Sequence, residues 1–501
     1  MDFMVLLAFI VYFLIVLAIG YYFYRRSENM EDYILGGRNM NPYVTAMSAQ
    51  ASDMSGWLLM GLPGSVVAFG LGEAWIGIGL ALGSYLSWLF VAKKLRHHSV
   101  VAGNALTMPE FFSNRYGDKK GYLRMIAAVI ILFFFVIYVA SGFKTSGIIL
   151  HTIFPDISIP IAMSVGAIII IAYTFMGGFK AVCWTDFFQA ILMVIAVVVV
   201  PLVVIGNLGG MEHVTELWDA TGVEEFANLF YDGGQPLSAI AIISLMAWAL
   251  GYFGMPHIVV RYMSIRHPKE VKIARRVSLI WIILALSAAI LIGMVGRAYL
   301  QELYGGIPAD FNTEEIFIVM VGDLFYPLIA GILFAAVMAA SMSTADSQLL
   351  VSSSSITNDV LKGSKWAEKQ ENADYKLMWI SRAIVIVISI VALILAAFGS
   401  DSIMGLVSYA WAGFGAAFGP LMILSLYWKR MNFYGAMASM VVGFVSIILW
   451  NTFLAGPTGI YELLPGFILS LIAGVIVSLV TAEPSEEIKK QFDDAQVFEE
   501  E

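Results

Sequence analysis

Apolar runs dominate the chain, and they recur at a length that fits a bilayer. About 20 apolar residues make a helix long enough to cross the hydrocarbon core. By that rule thirteen spans are expected, at 3–24, 43–70, 73–92, 122–146, 159–176, 186–206, 238–258, 277–298, 317–349, 379–399, 402–427, 432–454 and 463–481. The pattern predicts an all-α integral membrane protein with thirteen transmembrane helices. The first run follows Met1-Asp2 with no basic leader. It exceeds the roughly 7–15 apolar residues of a signal peptide, so a true span is expected there.

Two spans carry residues that interrupt a helix. Span 2 contains Ala51-Ser52-Asp53-Met54-Ser55-Gly56. Ser, Asp and Gly are poor helix formers, and their side chains compete for nearby backbone groups. A carboxylate at that depth costs at least about 2.5 kcal/mol, which a nearby cation would offset. Span 7 places Gly251, Gly254 and Pro256 within six residues. Counted from span 2, span 7 is the sixth. If spans 2–6 and 7–11 are two five-helix repeats, each opens with a broken helix, and the odd number gives them opposite orientations. Interrupted segments at matching positions of two halves point to a transporter's midplane site.

Aromatic and hydroxyl side chains cluster near these interruptions. Trp248, Tyr252 and Pro256 are spaced i, i+4, i+8, one helical face up to the break, and Trp57 follows the first break. Core packing or an interfacial belt would explain the rings equally well. Span 9 ends in Ala340-Ser341-Met342-Ser343-Thr344-Ala345-Asp346-Ser347. Such hydroxyls either bond the preceding turn's carbonyls or ligate a hard cation, which prefers oxygen. No His/Cys cluster suggests a transition metal.

Composition narrows the class. Hydrophobic residues make up 60% and charged residues 13%, against about 25% charged in soluble proteins. A net charge of −9 without a basic patch argues against nucleic acid. One cysteine, Cys183, allows no intrachain disulfide. Basic residues alternate between connections. They follow span 1 (Arg25, Arg26, Arg38), span 3 (Lys93, Lys94, Arg96, Arg115, Lys119, Lys120), span 5 (Lys180), span 7 (Arg261, Arg266, Lys269, Lys272, Arg275, Arg276), span 9 (Lys362, Lys365, Lys369, Lys376) and span 11 (Lys429, Arg430). The 207–237 connection is acidic and has none. The positive-inside rule therefore places the N-terminus outside and the C-terminus in the cytoplasm of a cell-membrane protein. Lys144 and Arg297 fall at outer span ends, where they can snorkel. The acidic segment 482–501 reads as a solvated tail. No phosphate-binding loop suggests a pump, and no filter repeat suggests a channel. The tail carries no signalling module, though a transceptor on the same fold remains an alternative.

Several stretches resemble the sodium/solute symporter family, and its proline-transporting branch in particular. They are "ASDMSGWLLMGLPG" (Ala51–Gly64), "YILGGR" (Tyr33–Arg38), "GGFKAVCWTDFFQA" (Gly177–Ala190), "GYFGMPHIVVRY" (Gly251–Tyr262) and "GLVSYAWAGFGAAFGP" (Gly405–Pro420). The resemblance covers nearly the whole chain. It implies a LeuT-type fold: 1–42 as a first span and loop, 43–206 and 238–427 as inverted repeats, 428–481 as two further spans and 482–501 as the tail. It implies a transporter rather than an enzyme, taking up L-proline with Na⁺ as the coupling ion, with no other cofactor and no obligatory protein partner. By position, Ala51, Met54 and Ala340 match carbonyl ligands of Na⁺, and Ser343 and Thr344 match its hydroxyl ligands. Asp53 and Ser55 match coupling residues, and Asp186 an acidic position near the inner ion path. Trp57, Tyr138, Trp248, Tyr252 and Pro256 match the proline pocket. Lys144 departs from the family pattern, which is apolar there. Substrate identity rests on the resemblance alone, and another small carboxylate solute is the runner-up.

Overall fold

A computed structural model describes residues 3–24, 30–176, 178–362, 370, 372–399 and 401–497. Arg25, Arg26, Gly177, Lys365 and Lys369 lie outside them, as does the end of the tail from 498. Ten helices among the described residues are long and apolar enough to cross a membrane. A pair bent by 46°, Ala239–Phe253 with Pro256–Ser264, makes an eleventh. Expected spans 43–70 and 159–176 fall short of that length test: the first is broken, and the second contributes only the shorter apolar stretch Ile159–Ala172.

The first expected interruption is present. Asn41 accepts from the Tyr43 N–H, and Pro42 opens helix α1 (Pro42–Asp53). Proline suits that position because its missing N–H would be unpaired anyway. At Met54 the chain leaves helical geometry (φ −83°, ψ 80°). It resumes as a wider turn over Trp57–Gly61 and then α2 (Leu62–Phe69). Gly56 lies against Thr145, and a Cβ there would overlap that side chain.

The second interruption runs through a tight 3₁₀ segment, Ala247–Phe253, between α3 (Ala239–Met246) and α4 (Pro256–Ser264). Gly251 packs directly on the Trp411 indole, leaving no room for a side chain. In lipid, helices associate by close packing and not by a hydrophobic drive, so a missing Cβ sets how near these segments come. The tight segment packs against α5 (Ile403–Tyr427), and α1 packs against α4 and α6 (Phe179–Asn207).

Several boundaries differ from the hydropathy pattern. Span 7 runs on to Ser264, so Arg261 lies on a helix and is 1% exposed, not in a loop. Span 9 is two helices, α7 (Ile316–Leu324) and α8 (Pro327–Ile356); Pro327 starts the second. Lys93, Lys94 and Arg96 lie in a helical extension of span 3, Lys93–Val101. The 207–237 connection folds into the helix Met211–Asp219 and a two-stranded hairpin, Tyr231–Asp232 with Gln235–Pro236.

Arg38, expected in a loop, is also buried. Its guanidinium donates to Asn104 Oδ1 (2.9 Å), Ser99 Oγ (3.0 Å), Met263 O (2.9 Å) and Ala105 O (2.5 Å). One side chain thus clasps the segments that follow spans 1 and 3 to the end of span 7. The tail is not wholly solvated. Ser485 caps a helix, α9 (Glu486–Gln496). Its Phe492 ring lies 4.7 Å under the Arg115 guanidinium, and Gln496 donates to Leu426 O at 3.1 Å.

Candidate functional site

The two interruptions meet. Asp53, the last residue of α1, is fully buried, and the Tyr252 hydroxyl donates to its Oδ2. Its Oδ1 has no hydrogen-bond partner among the described residues. The Asp53 carbonyl, freed where the helix ends, accepts from Trp57 Nε1 (3.0 Å) and the Tyr138 hydroxyl (3.2 Å). Two aromatic side chains therefore do what the next helical turn would have done. Ser55 continues the turn: its N–H donates to the same carbonyl at 3.0 Å.

Two residues earlier in α1, Ala51 faces α8. Its carbonyl accepts from Ser343 Oγ (2.8 Å) and Thr344 Oγ1 (3.4 Å), and Ser343 Oγ lies 3.1 Å from Ala340 O. Two carbonyls and two hydroxyls thus converge between α1 and α8. Neutral oxygens are suitable donors for a hard monovalent cation, and hydroxyls can rotate from donating to ligating. Met54 makes its recorded bond through its N–H, to Gln50 O at 2.9 Å.

A third group lies on α4, α6 and α1. Asp186 Oδ2 accepts from Ser48 Oγ (2.6 Å) and from Arg261 Nη2 (3.1 Å). Arg261 also donates to Ser347 Oγ (2.5 Å) and His257 O (2.6 Å). Three buried carboxylates, Asp53, Asp186 and Asp346, share this interior with one buried guanidinium. A cation placed among these carboxyl groups would offset the cost of burying their charge.

The aromatic groups form a wall on one side of Asp53. Trp248 stands 6.3 Å from Trp57, 6.2 Å from Trp411 and 5.4 Å from Tyr461. Tyr252 meets Trp411 edge-on at 5.1 Å, and Trp411 Nε1 donates to Trp248 O at 2.8 Å. Pro256 lies elsewhere. Beyond the bend, it lines a crevice with Ile34, Phe179, Val260 and Arg261. Trp411, Tyr461, Ser48 and Arg261 join the site residues that the sequence points to, and Ser347 comes from the hydroxyl run at the end of span 9. A guanidinium within an apolar run was the available signal for Arg261.

The model of the sodium:solute symporter family matches residues 33–443. The chain belongs to that family. It is therefore a multi-pass membrane transporter and not an enzyme. This symporter-family chain is 45% identical to the sodium/proline symporter of Escherichia coli (strain K12) over 495 residues, covering 98% of this chain and 96% of the relative. It is also 45% identical to the high-affinity proline transporter PutP of Bacillus subtilis (strain 168) over 483 residues, 96% and 99% of the two chains. Among solved structures, a Na⁺-coupled sialic acid symporter in a substrate-bound outward-open state superposes with a TM-score of 0.80 at 22% identity, covering 97% of this chain and 99% of the other. A nucleobase-cation-symport-1 family transporter in a closed conformation gives 0.53 at 13% identity, covering 94% and 99%. At these identities the structural likeness establishes the fold.

Proposed function

We propose that the protein couples Na⁺ entry to uptake of L-proline by alternating access. The observation that carries this is the junction of the two broken spans, where Asp53 meets Tyr252 two residues from Ala51, whose carbonyl bonds Ser343 and Thr344. In this reading Na⁺ is held by the carbonyls of Ala51, Met54 and Ala340 and the hydroxyls of Ser343 and Thr344. Asp53 and Ser55 link that ion to the substrate, and Asp186 with Arg261 borders the ion's inner path. Trp57, Tyr138, Trp248 and Tyr252 bound the proline, and Pro256 sets where α4 begins. The two near-full-length relatives named for proline support this substrate.

Counting the broken span at Pro42–Phe69 and the helix Ile159–Met176 as crossings gives thirteen, with spans 2–6 and 7–11 as inverted repeats. The basic connections then face the cytoplasm, leaving the N-terminus outside and the C-terminus inside. Uptake of radiolabelled proline into proteoliposomes tests the reading. An inward Na⁺ gradient should drive accumulation, and unlabelled proline should suppress it better than other small carboxylates. Full uptake on a proton gradient without Na⁺ would overturn the coupling ion.

A further inference from the structure

A basic crevice lies apart from the transport site, where two spans end on the same side. It is lined by Lys93, Lys269, Lys272 and Arg275 together with Trp88 and Leu89. The three lysines are exposed, and Arg275 also lies over the Tyr85 ring at 5.7 Å. The nearest carboxylate in that stretch, Glu270, is paired with Arg266 at 2.7 Å. The crevice covers the first turn of the 34-residue helix Val271–Tyr304, whose N-terminal N–H groups add partial positive charge. Trp88 is 1% exposed, yet its Nε1–H has no acceptor among the described residues. The basic side chains and the helix N-terminus together suit an anion.

The flanks say which source of anion fits. Leu89 and Phe90 are 37% and 48% exposed, and on the facing helix Ile273 and Ile280 are 39% and 70% exposed. Ile273 and Ile280 are seven residues apart, so they share one face two turns along. Both helices that line the crevice thus carry exposed apolar side chains, of which Leu89 lines the crevice itself. Basic pockets between spans at the cytoplasmic surface accept anionic lipid headgroups. We propose that this crevice binds the phosphate of an anionic bilayer lipid, with the acyl chains lying along Leu89, Phe90, Ile273 and Ile280.

The test uses the full chain in nanodiscs of phosphatidylcholine with a minority of spin-labelled phosphatidylglycerol. Electron paramagnetic resonance reads the motionally restricted lipid. The wild type should enrich the anionic lipid over spin-labelled phosphatidylcholine by about threefold or more, since each nearby basic residue strengthens such binding by about fivefold before screening. The triple variant Lys269→Gln, Lys272→Gln, Arg275→Gln should fall to parity. Lys119→Gln with Lys120→Gln, on another connection, should keep the enrichment. Should the triple variant fail to fold, Lys272→Glu serves in its place, because an acid in the first turn of a helix is favourable. Undiminished enrichment in either crevice variant, or equal loss in the control, overturns the site. If the wild type shows no enrichment yet binds inorganic phosphate at matched ionic strength, and the triple variant loses that binding, the ligand is a free anion and the lipid assignment fails.

Discussion

Asp53 stands where a helix stops, with one oxygen bonded to Tyr252 and the other without a partner among the described residues. An amide of nearly the same shape is cheaper to bury than a carboxylate. Asp53→Asn is therefore expected to insert and fold but to lose most Na⁺ stimulation of proline binding. Coupling between two ligands is reciprocal, so in the wild type proline should tighten Na⁺ binding by the factor that Na⁺ tightens proline. Paired binding curves with and without saturating Na⁺ read both quantities; wild-type stimulation in the Asn variant would make Asp53 purely structural. Ser343 and Thr344 donate to one carbonyl, so either alone leaves a hydroxyl in place. Ser343→Ala with Thr344→Ala should raise the Na⁺ concentration for half-maximal uptake more than either single change, and an unaltered Na⁺ dependence would remove α8 from the ion site. Trp248 touches three other rings. Its replacement by Ala should weaken proline binding by about 1–3 kcal/mol, the scale of a large buried apolar side chain, with a smaller effect on Na⁺. Titration calorimetry against each ligand separates the two, and the opposite pattern would reverse the roles.

At the scale of elements, the positions of the interruptions were legible in the sequence, while their partners were not. Ser52-Asp53-Met54-Ser55-Gly56 and Gly251 to Pro256 announce weak helix by local chemistry. That Asp53 would meet Tyr252, 199 residues later, depends on packing that no local rule encodes. Arg38 and Arg261 were read as loop charges because a window average treats any basic residue beside an apolar run as its end. Both are buried because several oxygens are gathered around each guanidinium. The helix at Glu486–Gln496 was masked by its acidic composition; its apolar contacts are few, Phe492 and Ala495 among them. Magnitudes decide what holds it. The ion pairs of Lys429 with Asp493 and Lys489 with Glu483 are on the surface, where such pairs contribute little. Phe492→Ala should loosen this helix by about 3 kcal/mol, read as faster amide exchange over 486–496. Glu483→Gln should leave that exchange nearly unchanged; the reverse order would show that charge and not packing holds the helix.

Across the whole molecule, the two broken helices are joined near the middle, and Arg38 joins three segments at one end. Arg38→Lys retains the charge but cannot reproduce a planar fork with five donors. Amides at Asn104 and Ala105, which close the turn beside the clasp, should then exchange faster by about tenfold for each 1.4 kcal/mol lost. Unchanged exchange would mean the segments hold together without the guanidinium. A carrier that works by rocking moves least at its centre and most at its ends. The central contacts then behave as a fulcrum and the Arg38 fork as an escapement. If the proposed alternating access parts that end, these four bonds hold it closed, and their joint strength sets how long the closed half-cycle lasts. A weakened fork would then shorten that half-cycle and shift the balance of states, carrying the apparent affinity for proline with it.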